Sequence, residues 1–286
     1  MDFIWTLRIL VALVGTGIAA WYDLYNKKNV PENFLYAFLG IALILNVLDY
    51  SLFISRLPLA ALLIVILYMM YKVGQLGGAD LMVLAAIYCA IPTMTSPLIP
   101  TTSSFISEIL SLPSLFTILA ISVILCALWL VIKYGPRLIR DTLKGKIKFK
   151  TINLLIAIAM ILVYGFLLIM IIQLSSILSI SILHIVFLTL VVILVFFFSI
   201  YKDALMEHMI VWKKKVEQEE IIMLEALPAA LIEKMHLGRL VTEQQMKKMN
   251  KIKRMWPVLD LPAFVPCILI GLALYILFGD SILFFA

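Results

Sequence analysis

An all-α, polytopic integral membrane protein, with about eight transmembrane helices and a small helical cytoplasmic segment, is the fold class this sequence predicts. Three observations predict it. Hydrophobic residues fill 64% of the 286 positions and charged residues 14%, and the mean hydropathy is +1.11, outside the balance of a soluble globular chain. Apolar stretches long enough for a hydrocarbon core of roughly 30 Å, at about 20 residues each, recur along the chain. Basic residues gather between alternate stretches.

The stretches fall at 3–22, 34–53, 57–73, 81–99, 114–132, 152–173, 180–200 and 258–278. The first, FIWTLRILVALVGTGIAAWY, exceeds the apolar core of a secretory signal and lacks a small-residue cleavage pattern, so it reads as a retained helix. The third is short, and the fourth carries Pro92 and Pro97, which suits a broken, tilted or partly re-entrant segment. Between the fourth and fifth, 93–113 is rich in Ser, Thr and Pro and reads as an exposed crossover. Three parts result: a membrane domain over 1–200, a cytoplasmic helical segment over 201–257, and a final Pro-containing span with the C-terminus over 258–286. Within 201–257, charged and apolar positions alternate at roughly helical spacing and Pro228 divides the segment in two.

A net charge of +6 raises the question of nucleic acid, and the distribution answers it. If the loop after the first span is cytoplasmic, every Lys and Arg except Arg8 and Arg56 falls on the inner side. Such asymmetry fixes orientation under the positive-inside rule. Both termini are then outside, and Asp23 and Asp80 are at the cytoplasmic face of a multi-pass protein of the cell membrane. The run KYGPRLIRDTLKGKIKFK after the fifth span suits an anionic inner leaflet, so membrane lipids are expected partners and nucleic acid is not.

No phosphate-binding loop, metalloprotease helix motif, serine-hydrolase elbow or dinucleotide fingerprint is present. Cys89, Cys126 and Cys267 occupy separate apolar spans without metal-ligand spacing to the histidines. They read as buried thiols, and no metal or cofactor is expected. His184 falls in an apolar span, where it can stay neutral and bond to backbone; His208 and His236 read as surface residues of the cytoplasmic segment. Glu217, Glu219 and Glu220 read as a solvated face balancing Lys213, Lys214 and Lys215, with attraction of a basic peptide as the alternative.

Of eight aspartates, Asp2, Asp49 and Asp280 lie near outer ends, and Asp141 and Asp203 in charged interior segments, where solvation accounts for them. Asp23, Asp80 and Asp260 remain. Asp23 follows AAWY and precedes Lys27 and Lys28, which can balance it at the interface. Asp80 follows Gly77, Gly78 and Ala79 and can serve as the N-cap of the fourth helix. Taken together, two acids at the cytoplasmic ends of two spans can meet at one site, where close carboxyls share a proton and act as base and acid on a peptide bond. Gly77 and Gly78 can let the backbone turn left-handed, or a substrate strand approach. Asp260 precedes Pro262 and Pro266, whose missing N–H groups expose backbone polarity that can line a cleft.

Three regions carry a resemblance. DLYNKKNVPEN from Asp23 to Asn33 resembles an aspartate followed by a basic stretch and an Ile/Val-Pro-Asn/Asp ending. GGAD from Gly77 to Asp80 is similar to the GxGD motif, with Ala79 as the small third residue. GRLVTEQQMKKMNKIKRMWPVLDLPAFVPCILIGL, 238–272, resembles the closing section of archaeal members. The family is that of the prepilin and preflagellin peptidases, type IV leader peptidases among the intramembrane GxGD aspartyl proteases. The likeness covers both ends of the chain, whereas 100–200 matches only as generic apolar spans. Ala79 for Gly and Glu32 between Pro31 and Asn33 depart from the pattern.

The resemblance implies an aspartic endopeptidase with Asp23 and Asp80 as the catalytic pair, and Gly77, Gly78, Ala79, Pro262 and Pro266 shaping the site. It implies removal of a short basic leader from archaellin or type IV pilin-like precursors at the cytoplasmic face. The cysteine pairs of many bacterial members are missing, so leader removal without N-terminal methylation is the expected activity. Two other classes stay open. A proton-coupled or small-solute transporter would use the acids as relay groups, though the sequence shows no internal repeat; a non-enzymatic membrane scaffold would use 201–257 to recruit partners.

Overall fold

The computed structural model describes residues 3–25, 30–47, 50–72, 76–91, 114–147, 149–174, 182–217, 220–252 and 254–279. Asp2, Asp49, Asp280, Lys27, Lys28, Pro92, Pro97, the 93–113 crossover and Glu219 lie outside the described residues, as do the side chains of Arg56 and His184. The chain is mostly helical. In order come α1 (Phe3–Tyr25), α2 (Glu32–Val47), α3 (Tyr50–Lys72), α4 (Gly78–Ala90), α5 (Ser114–Leu143), α6 (Thr151–Leu174) and α7 (Ile182–Met209). Then follow β1 (Ile210–Lys213), α8 (Ala229–Met235), α9 (Glu243–Asn250), β2 (Trp256–Leu259) and α10 (Val265–Phe278).

Each of the eight apolar stretches contains a helix, but not each helix has the length of a span. Among the described residues four are long and apolar enough to cross a membrane: α1, α5, α6 over Thr151–Met170 and α7 over Ile185–Met209. Shorter apolar helices are α2, α4, α10 and the Ala61–Lys72 part of α3. With 13 residues, α4 reaches about 20 Å at 1.5 Å per residue, short of a hydrocarbon core. Its early end has a local cause: Ile91, at φ −123° and ψ 75°, precedes Pro92, whose ring disfavours helical geometry in the residue before it. The stretch 258–278 is shortened at its other end, because Val258 and Leu259 pair in β2 and the helix begins only at Val265.

The packing core lies among α1, α2, α3, α4, α5 and α10, through residues such as Ala12, Leu35, Leu84, Ile87, Ile118 and Leu272. Gly15 of α1 meets the Phe38 ring of α2 so closely that a Cβ would overlap it. Further along the chain, α6 packs on α7 and α7 on α5. Leu155, Leu162, Val163 and Phe166 of α6 are exposed, as befits a helix whose solvent is lipid.

Beyond the apolar bundle, the 201–257 segment is not wholly helical as its sequence suggests. Helix α7 continues to Met209 and passes into β1, which pairs antiparallel with β2 in the register Ile210↔Leu259 to Lys213↔Trp256. Isolated bridges join Ile222 to Val258 and Ile221 to Leu240. Burial explains the change of period: Val216, Ile222, Val241, Met249, Trp256 and Val258 form a small core of their own. Pro228 stands at the N-cap of α8, and His236 ends that helix at φ 49°. Thr242 and Gln245 form a reciprocal capping box at the start of α9, with Thr242 N–H donating to Gln245 Oε1 at 3.0 Å.

The base of this subdomain is a second cluster, in which Tyr134, Leu138, Leu205 and Met209 pack with Leu259 and Leu261. Asp260 N–H donates to Met209 O at 2.8 Å. The basic run after the fifth span is therefore largely helical, since α5 continues through Pro136 to Leu143. Together α5, α7 and β2 deliver the chain to the start of α10, beside the end of α1.

Candidate active site

Asp23 lies in the last turn of α1 and is 7% exposed. A carboxylate so placed must have donors. Its Oδ2 accepts a hydrogen bond from the Val265 N–H at 3.1 Å, and Val265 is the first residue of α10. The positive end of the α10 dipole thus faces the carboxylate. Pro266 follows in the first turn, where a missing N–H costs least. This partner is 242 residues away in sequence, so the fold, not the neighbouring lysines alone, accommodates Asp23.

Asp80 is the third residue of α4, not its N-cap. The helix begins earlier than the sequence suggests because Gly77 occupies the cap and Gly78 already has a place in the first turn. From that position the half-buried Asp80 reaches back, and its Oδ2 accepts from the Gly77 N–H at 3.1 Å. An acid in the first turn is again stabilised by the helix end. Gly77 has φ −76° and ψ 156°, and Gly78 is not among the glycines with positive φ, so neither supplies a left-handed turn. What Gly77 supplies is room: a Cβ there would lie 3.0 Å from Asp80 Oδ2. Ala79 packs against the bundle core.

The two acids belong to helices that touch: α1 meets α4 and α10, and α4 meets α10. Cys267, two residues beyond Val265 in the first turn of α10, meets Cys126 of α5. Their sulfurs are 3.1 Å apart as free thiols. The start of α10 therefore brings Asp23 and the two thiols together, with Asp80 on the touching helix α4. Among the described residues no cluster of three or more His, Cys, Asp and Glu side chains is arranged to hold a metal ion.

Asp260 has a basic partner of its own. Its carboxylate pairs with Lys133 of α5 at 2.9 Å, each side chain 38% exposed, and Lys133 also sits over the Trp129 and Tyr134 rings. Pro262 is in the loop between that ion pair and α10. Elsewhere the charged residues pair locally. His208, half-buried and not a free surface residue, contacts Asp141 through Nε2 at 3.2 Å and the Ala204 carbonyl through Nδ1 at 2.9 Å. Lys150 pairs with Asp203 at 2.8 Å. Glu220 pairs with Lys213 and accepts from the Glu217 N–H.

Two features escape the sequence reading. Arg8, placed near the outer side by charge counting, is 1% exposed. Its Nη1 donates to Asn46 Oδ1 and Ala90 O, both at 3.1 Å, and its Nη2 to Leu45 O at 3.0 Å. An arginine inside an apolar stretch was the available signal, because such a residue must find internal partners. The second is the meeting of Cys126 and Cys267, for which spacing gives no clue. Comparison of the chain with protein-family models, with curated proteins and with solved structures finds no match.

Proposed function

We propose that the chain is a membrane aspartyl endopeptidase that removes the short basic leader of archaellin or type IV pilin-like precursors at the cytoplasmic face. The observation that carries this reading is the seating of Asp23 and Asp80 each on a helix N-terminus, with the helices that bear them in contact. In this mechanism the two carboxyls act together and share a single proton. One carboxylate then takes a proton from water as it adds to the scissile carbonyl; the other, protonated, hydrogen-bonds that carbonyl oxygen. Collapse of the tetrahedral adduct breaks the C–N bond, and the amine leaves with a proton from the pair.

Three further features support the reading. Gly77 leaves space beside the Asp80 carboxylate. The gathering of Lys and Arg between alternate apolar stretches favours an orientation with both acids at the inner membrane edge, both termini outside and the chain multi-pass. The resemblance of DLYNKKNVPEN and GGAD to the leader peptidases names the reaction and the precursor class. Asp260, by contrast, is engaged with Lys133, so the catalytic pair is assigned to Asp23 and Asp80.

The test is cleavage of archaellin-like and pilin-like precursors in membranes holding the wild type, Asp23→Asn or Asp80→Asn, with insertion checked in parallel. Asn keeps the shape of the side chain and removes its acid–base capacity. The expected result is cleavage by the wild type and at least a thousandfold loss, on the order of a general acid–base contribution, in each inserted variant. Cleavage that survives either substitution overturns the mechanism and returns the acids to transport or structure.

A further inference from the structure

The contact between α5 and α10 has a register that can be read from two pairs of residues. At Gly271 a Cβ would lie 2.6 Å from Ser122 Oγ and 2.9 Å from the Ile118 carbonyl oxygen, so the two backbones approach to the width that glycine allows. Four residues forward on α5 and four back on α10 stand Cys126 and Cys267, as an antiparallel pairing requires. Their Sγ atoms are 3.1 Å apart and each residue is 8% exposed. A disulfide needs a sulfur separation of about 2.05 Å and Cα atoms within about 6.8 Å; helices in such close contact need a shift of only about 1 Å.

We infer that Cys126 and Cys267 form an oxidisable dithiol beside the acid pair, whose disulfide staples the first turn of α10 to α5. The oxidant that suits two thiols enclosed by apolar helices is a lipid-soluble quinone. Two S–H bonds break and one S–S bond forms, while two electrons and two protons pass to the quinone and leave it as the quinol. Cys267 is two residues beyond Val265, whose N–H binds Asp23, so the staple restrains the helix end that holds this acid. Cys89, on α4, is half-buried and free and takes no part. The inference rests on the α5–α10 contact and stands whether or not the chain is a peptidase.

The experiment uses the full chain in lipid vesicles, exposed to a short-chain ubiquinone analogue or to dithiothreitol, then quenched in acid and unfolded in SDS. Free thiols are counted by the mass added by a maleimide. The expected count falls from three to one on oxidation, with Cys89 the labelled residue and a cross-linked Cys126–Cys267 peptide in the digest; dithiothreitol restores three. In Cys126→Ser the count stays at two in both conditions. Three free thiols after quinone, a quinone adduct on a single cysteine, or a disulfide that includes Cys89 or joins two chains overturns the inference.

Discussion

Helix α1 meets its neighbours through a cation near one end and an anion near the other. Arg8 donates to the C-terminal carbonyls of α2 and α4, at Leu45 and Ala90; Asp23, fifteen residues or about 22 Å further along, accepts from the N-terminus of α10. At that same face Asp80 accepts from the N-cap of α4. One electrostatic rule, charge matched to helix end, operates in both places. The difference is in what the charge can do. A guanidinium stays protonated and, at 1% exposure, is closed off from any reactant. Carboxyls titrate, and Asp80 is only half-buried. A rule that serves as a joint at one end serves at the other to seat two titratable carboxyls against helix N-termini.

Stability should separate the two ends most sharply. Arg8→Met leaves three buried acceptors without their donor, and an expected loss of roughly 2–5 kcal/mol follows. Thermal unfolding of the purified chain in bilayer discs measures it, and cleavage per folded molecule should be retained at a permissive temperature. Asp23→Asn should show the reverse, a modest change in stability with loss of cleavage, because the amide oxygen can still accept from Val265. Equal stability losses in the two variants would break the comparison.

Gly77→Ala tests the same distinction more finely. The new Cβ stands 3.0 Å from Asp80 Oδ2, tight enough that the carboxylate must give by a few tenths of an ångström. Gly77 has an ordinary φ of −76°, so the backbone tolerates alanine. A drop of roughly tenfold in kcat/KM is expected, with stability changed by less than about 1 kcal/mol. Unaltered kinetics would remove Gly77 from the set of residues that shape the site.

How much of this was legible in the sequence varies from element to element, for physical reasons. Apolar length alone marked the eight helical stretches, because hydropathy over about 20 residues is a strong signal. It did not mark their ends: Pro92 stops α4 early, and WPVL becomes β2 because Val258 and Trp256 find a core with Ile222 and Met249. Strand and helix cannot be told apart in four apolar residues. Asp80 is readable as a helix-start acid from the glycines before it, though it stands three positions inside the helix end and not at the cap itself. Asp23's partner was not readable, since Val265 is brought to it only when α1 and α10 pack. The Arg8 joint and the α5–α10 thiol pair likewise depend on which helix faces meet, and pairing registers between helices leave no local trace.

The smallest expected effect concerns the loop that joins the subdomain to α10. Lys133 and Asp260 form an ion pair whose side chains are each 38% exposed, and such a pair contributes at most about 1 kcal/mol. Lys133 rests against the Trp129 and Tyr134 rings as well, so Asp260→Asn should lower the unfolding temperature by no more than a few degrees and leave cleavage within about threefold of wild type. A larger loss of cleavage in a stable Asp260→Asn chain would have one meaning. It would place the loop with Pro262 on the path of the substrate, as the missing N–H groups there suggest, and the reactive end of the bundle would then extend from Asp23 and Asp80 into the base of the subdomain.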